Sequence, residues 1–163
     1  MLRNQGEIFR QRSKKRAFVK CIPGAGIEEV AKSLPPAESS RQATVVSVGT
    51  NDIENSKLAE IRLKYRFLLN KLKERKSPSI VMSILPRLNV SESWTRRAKE
   101  INLWLHSECL QRGITYVNVW EYFEKKPYIY RHDGVHLSTR GKFYLCDVID
   151  DLTNESAIFK PFL

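Results

Sequence analysis

The five residues Asp133-Gly134-Val135-His136-Leu137 place a carboxylate three positions ahead of a histidine. A carboxylate there can accept the imidazole Nδ1–H, fix the ring's tautomer and leave Nε2 as a proton acceptor, the base half of nucleophilic catalysis. Gly134 supplies the tight turn this reach needs. A lone Asp-x-x-His is weak, because a histidine before a helix often serves only the loop. A second group, Gly49-Thr50-Asn51-Asp52, follows an apolar run. Gly49 allows a sharp exit from a strand, and the Asn51 amide is a donor of the kind that holds a developing oxyanion. Asp52 is read as organising the loop or capping the next helix, and plain turn chemistry is the competing account of the group. A third, Pro23-Gly24-Ala25-Gly26, can bring a backbone N–H close to a ligand through Gly24 or Gly26. A simple turn into a helix explains it equally well.

These residues need a frame, and the apolar pattern supplies one. Short apolar runs at 17–22, 43–48, 79–85 and 114–119 read as strands, closed by Pro23, Gly49, Pro86 and a loop from Trp120 to Leu137. Between them lie a short helix over 26–34, a polar loop from Pro35 to Gln42, and two longer helices. The first carries Leu58, Ile61, Tyr65, Leu68 and Leu72 on one face, with Asn55 or Ser56 as its cap. The second starts near Ser91, carries Trp94, Ala98, Ile101, Leu105 and Cys109, and stops at Gly113. A last helix from about Ser138 buries Leu145, Val148, Ile149 and Leu152. Strands and helices alternate, so the fold class is α/β with a mostly parallel sheet. In such a sheet ligands sit at the carboxyl ends of the strands, where the three groups fall. Arg87, after Pro86, is read as solvated rather than lining a cleft, and His106 and His132 as structural.

At 163 residues, with 42% apolar and 28% charged residues, the chain has the length and composition of one packed domain. No apolar run is long enough to span a membrane, and no secretory signal is visible. Cys21, Cys109 and Cys146 are far apart and odd in number, so they are read as reduced structural thiols and not as metal ligands. A cytoplasmic or nuclear location is expected. The Gly-x-Gly-x-x-Gly dinucleotide pattern fails at Glu29, and no cofactor is expected. The net charge of +10 is uneven: residues 1–20 carry seven basic side chains against Glu7, a local +6. Arg10, Arg12, Lys14, Lys15 and Arg16 form its centre. Such a cluster suits weak nucleic-acid binding or a nuclear address, and a solvated helix face is the other account.

Taken together, the three groups resemble the SGNH (GDSL-type) hydrolase family over about residues 17–152. Gly49-Thr50-Asn51-Asp52 looks like its third conserved block, Asp133-Gly134-Val135-His136-Leu137 like its fifth, and Cys21-Ile22-Pro23-Gly24-Ala25 like its second. Their wording, with Leu85-Pro86-Arg87 between them, is similar to esterase-like domains of animal genomes, some in first open-reading-frame proteins of LINE-type retrotransposons. The resemblance implies a flavodoxin-like three-layer sandwich acting on small acyl esters. It implies His136 as base, Asp133 as its partner, Asn51 with Gly24 or Gly26 as oxyanion donors, and Gly49, Asp52 and Gly134 as loop supports.

The chain departs from that family in its first block. None of the seven glycines (Gly6, Gly24, Gly26, Gly49, Gly113, Gly134, Gly141) is followed by Asp-Ser or has serine two positions on. No nucleophile is therefore assigned. Residues 1–16 are read as the basic helix after a missing first central strand, with 153–163 as a tail. The expectation is a catalytically incomplete chain, either truncated or dependent on a strand supplied by another segment or partner.

Overall fold

The computed structural model describes residues 20, 22–35, 43–75 and 77–155. The chain divides into two compact units. One comprises Gly24–Pro86 and Val90–Glu121; the other, among the described residues, comprises Lys20, Ile22, Pro23, Arg87–Asn89 and Tyr122–Glu155.

The first unit holds a three-stranded parallel sheet of β1 (Thr44–Val46), β2 (Ser79–Met82) and β3 (Thr115–Val117), in that spatial order. Thr44 pairs with Ser79 and Ile80 with Thr115. Four helices accompany it: α1 (Ile27–Lys32), α2 (Thr50–Asn55), α3 (Leu58–Lys73) and α4 (Glu92–Arg112). Every position of β2 is buried, as a central parallel strand requires, and its apolar run without alternation carried that signal. Past Met82 the backbone stays extended to Pro86 because its polar groups find partners. Ser83 N–H donates to the Val117 carbonyl at 2.9 Å. The Asn102 side chain of α4 then accepts from Ile84 N–H at 2.8 Å and donates to the Ile84 carbonyl at 3.3 Å, standing in for a neighbouring strand. Side-chain partners thereby satisfy the backbone past the end of β2.

Of the α3 face read from spacing, Ile61, Tyr65, Leu68 and Leu72 are buried and Leu58 is half-buried, while Leu69, outside that reading, is buried as well. Its start differs from expectation. Asn55 closes α2, a short helix absent from the sequence reading, and Lys57 is the N-cap of α3. The Glu60 carboxylate accepts the Lys57 N–H at 3.1 Å, so the capping group lies inside the helix instead of before it. Helix α4 begins and ends as read: Ser91 Oγ accepts from Trp94 N–H at 3.1 Å, and Gly113 takes the left-handed conformation, φ 66°.

The second unit contains a 3-10 turn at Pro127–Ile129 and helix α6 (Thr139–Glu155), which runs beyond residue 152; a helical turn, α5 (Trp120–Phe123), leads into it. The stretch read as plain loop thus contains two helical turns. Ser138 Oγ caps α6 by accepting from Gly141 N–H at 3.1 Å. A Cβ on Gly141 would stand 1.9 Å from the Ile129 carbonyl, so the glycine sets how closely α6 meets the 3-10 turn. Phe123 packs edge-on against Tyr144, whose hydroxyl accepts from Lys126 Nζ at 2.7 Å. The strand read at 17–22 lies outside the described residues, save Lys20 and Ile22, which are in no strand. The basic segment and the loop at 36–42 also lie outside them. No helix among the described residues is long and apolar enough to cross a membrane.

Gly49 and Tyr65 fix the exit from β1. Gly49 has φ 111°, and a Cβ there would meet the Tyr65 hydroxyl at 2.2 Å. That hydroxyl donates to the Val48 carbonyl at 2.7 Å, and burial holds the phenol well above its ordinary pKa, so it remains a donor. Gly49→Ala is expected to cost about 2–4 kcal/mol from strain and overpacking, and Tyr65→Phe about 1 kcal/mol. Because removing the hydroxyl frees space for the new methyl, the double variant should cost less than the sum in urea unfolding.

Candidate functional site

In the sheet-bearing unit, the loop before α1 and the start of α2 are tied together by side chains. Gly24 takes φ 75°, a left-handed conformation that favours glycine. Gly26 is the N-cap of α1, and its N–H donates to Glu29 Oε2 at 3.0 Å. Ile27 N–H, the next along, donates to Asp52 Oδ2 at 3.0 Å. One residue before Asp52, Asn51 donates its amide Nδ2 to the Ala25 carbonyl at 3.3 Å. Successive residues of α2 therefore hold successive parts of one loop. A Cβ on Gly26 would lie 3.0 Å from both Asp52 oxygens, a contact tight enough that the carboxylate would have to give way.

Asp52 is 4% exposed. A buried charge is costly unless paired and hydrogen-bonded, and here it is both. Lys64 Nζ on α3 reaches Asp52 Oδ1 at 2.9 Å and Ser56 Oγ at 3.0 Å. The hydrogen bond to Asp52 raises the Lys64 ammonium above its ordinary pKa. The sequence reading gave Asp52 a loop-organising role, and these contacts specify it. Lys64, Glu29 and Tyr65 were not read as site residues. Their only signal was a basic and an acidic residue on otherwise ordinary helix faces, and a polar tip in an apolar stripe.

In the other unit, residues 130–138 close on themselves. Tyr130 and Leu137 form an antiparallel bridge. Arg131 N–H donates to the His136 carbonyl at 2.7 Å, and Gly134 N–H to the Arg131 carbonyl at 2.9 Å. Gly134 has φ 66°, and a Cβ on it would come within 2.8 Å of Leu88 Cβ. Leu88 N–H in turn donates to the Gly134 carbonyl at 2.8 Å, a backing contact that no sequence pattern announced.

Within this loop Asp133 Oδ1 accepts from the N–H groups of Val135 and His136, both at 2.8 Å. Its other oxygen, Oδ2, lies 2.9 Å from His136 Nδ1. The carboxylate is fixed by backbone before it meets the imidazole. The backbone donors, then the imidazole, hold its pKa well below the ordinary carboxylate range. Both side chains are partly exposed, Asp133 by 36% and His136 by 49%. With Nδ1 engaged, Nε2 is the ring nitrogen left for proton transfer.

The sequence-read residues thus assemble as two groups, Gly24, Gly26, Gly49, Asn51 and Asp52 in one unit and Asp133, Gly134 and His136 in the other. Arg87 is half-buried rather than fully solvated. His106 stacks on Tyr116 with ring centroids 5.1 Å apart. His132 is exposed. Arg10, Arg12, Lys14, Lys15 and Arg16 lie outside the described residues.

The sequence model of the GDSL-like lipase/acylhydrolase family matches residues 3–142, beginning within the basic segment, upstream of where the motifs placed it. Among solved structures, the esterase domain of the zebrafish ZfL2-1 retrotransposon ORF1 protein is 27% identical, covers 91% of this chain and 94% of its own, and has a TM-score of 0.55. A GDSL-like lipase from Bacteroides thetaiotaomicron is 18% identical over 99% of this chain and 82% of its own, with a TM-score of 0.70. The OSK domain of Drosophila Oskar is 16% identical over 86% and 76%, with a TM-score of 0.62. The last two are similar in fold. No curated protein matches.

The Asp133 contacts make the loop pH-dependent. Its folded pKa is depressed, so its contribution is present above the ordinary Asp value of 3.8 and is lost as pH falls through the lowered folded value. Amide exchange at Val135 and His136 should stay slow down through that ordinary range and quicken only below it. In Asp133→Ala it should be fast throughout.

Proposed function

The chain belongs to the GDSL-like lipase/acylhydrolase family, and from that premise we propose that it is an ester-hydrolase-type domain for small acyl esters, with His136 as base and Asp133 as its orienting partner. The observation that carries this reading is the Asp133 carboxylate, set by two backbone N–H groups and placed 2.9 Å from His136 Nδ1. In the reaction, Nε2 takes the proton of an attacking hydroxyl as it adds to the acyl carbonyl, then returns it to the leaving alkoxide. Asn51 and a backbone N–H of the Gly24–Gly26 loop hold the carbonyl oxygen as it becomes negative. Gly26 N–H is already directed to Glu29, which favours Gly24 as that donor. The 163 residues hold no Gly-Asp-Ser. In this reading the attacking serine is not among them; one unit supplies the base and the other the oxyanion donors.

Two measurements test this. Long-range proton–nitrogen spectra of neutral His136 should show the proton on Nδ1 in the native chain and a shift toward the Nε2–H tautomer in Asp133→Ala; an unchanged tautomer would remove Asp133 as orienting partner. The native chain should not hydrolyse short p-nitrophenyl esters. Turnover blocked by a serine-reactive phosphonate, with the label on Ser13 or Ser47, would overturn the assignment of the serine to a place outside this chain.

A second reading, weak polyanion binding through Arg10, Arg12, Lys14, Lys15 and Arg16, is supported by the local charge of +6 over residues 1–20. About five neutralised phosphates predict a log affinity for duplex DNA that falls with log salt at a slope of about −4 to −5. Titrations at several salt concentrations check it, and a flat response would leave the cluster as a solvated face.

A further inference from the structure

We infer that Asp52 is a positioning residue that sets the oxyanion donors, acting through the Gly24–Ile27 backbone and through its neighbour Asn51. The inference rests on the oxyanion role proposed above for Asn51 and the glycine loop.

Asp52 and Asn51 are adjacent on α2 and grip adjacent parts of one loop. Asp52 Oδ2 takes the Ile27 N–H at 3.0 Å, while Asn51 Nδ2 takes the Ala25 carbonyl at 3.3 Å. Gly26 lies between these anchor points, where a Cβ would crowd the carboxylate at 3.0 Å. A shift of the carboxylate acts on this segment through the Ile27 N–H. The N–H groups of Gly26 and Ile27 are both turned to carboxylates, Glu29 and Asp52. Gly24 and Ala25 carry the loop's other N–H groups, and the Ala25 carbonyl meets the Asn51 amide.

The carboxylate is itself held from a third element. Lys64 on α3 meets Oδ1 at 2.9 Å, so each oxygen has a separate partner, one on α1 and one on α3. Helix α1 is only six residues long, too short to be stable by itself. Its placement must come from contacts, among them this one and the burial of Ile27 and Ala31. An oxyanion site is unforgiving of displacement: about 1 Å of misplacement can cost on the order of 100-fold. A buried, doubly anchored carboxylate beneath the loop meets that demand better than the exposed Glu29, which shares the capping role.

The test is phosphonate binding by the full chain. Ethylphosphonate, a charged tetrahedral oxygen probe, is titrated while the Gly24 and Ala25 amides and the Asn51 side-chain NH2 are followed by NMR. Ile27 amide exchange and urea unfolding are measured in parallel. Asp52→Ala should quicken Ile27 exchange and weaken phosphonate about tenfold, the size expected for losing one charge-assisted hydrogen bond. Asp52→Asn keeps an acceptor for Ile27 N–H and should stay within about threefold of the native affinity, which guards against an alanine variant that does not fold. Asn51→Ala should lose the phosphonate response while Ile27 exchange stays slow. If Asp52→Ala frees the Ile27 amide yet binds phosphonate within about twofold of the native chain, Asp52 only anchors α1, and the inference fails while the oxyanion reading stands. If the native chain shows no phosphonate response at Gly24, Ala25 or Asn51, the oxyanion reading fails and takes this inference with it.

Discussion

Asp52 is a carboxylate almost withdrawn from water, and a charge in that position persists only if the fold surrounds it with donors. Ile27 N–H and Lys64 supply them, from helices on either side of it in sequence. Three elements, α1, α2 and α3, are thereby referred to one atom group. Removing one partner of such a set leaves the other uncompensated, which costs far more than the pair contributes when intact. Asp52 takes the first helical N–H of α1, and Asn51 beside it reaches the Ala25 carbonyl of the preceding loop. The closeness is possible because position 26 has no side chain.

The Asp133–His136 group works by a different economy. Its contacts are local, within six residues from Arg131 to His136, and it is exposed, so no deep desolvation opposes it. The two backbone N–H groups on Oδ1 turn the carboxylate toward the imidazole and leave Oδ2 for Nδ1. Gly134 permits the turn, and Leu88 backs it from a distant part of the chain. Such a loop takes its long-range support from Leu88 and answers to acid through its own carboxylate. The Asp52 group, buried and charge-paired, depends instead on the packing of the helices around it.

Much of the sheet-bearing unit was legible because its signals are periodic. The unbroken apolar run at β2, the three-four stripe of α3, and Ser91 with Gly113 at the two ends of α4 each state a local rule. What escaped was local structure that runs against those rules. Helix α2 follows Gly49 directly, with Thr50-Asn51-Asp52 in the helix where a loop was read. The cap of α3 lies within the helix, at Glu60, so a search upstream for Asn55 or Ser56 could not find it. The two helical turns inside residues 120–129 are too short for periodicity to appear.

By itself the sequence determined the alternation of strands and helices, the Asp-x-x-His pair, the Gly-x-Asn-Asp group and the absence of a Gly-Asp-Ser serine, because each is a matter of residue type and short spacing. Only the tertiary structure decided which partners those residues meet. Lys64 is twelve positions from Asp52, Ile27 is twenty-five from it, and Leu88 is far from Gly134. No period links such pairs, and each is set by which helix face packs where. The structure also decided that Gly26 N–H goes to Glu29 while Asn51 reaches Ala25. A buried polar group must find a partner somewhere, but the chain folded around it decides which one.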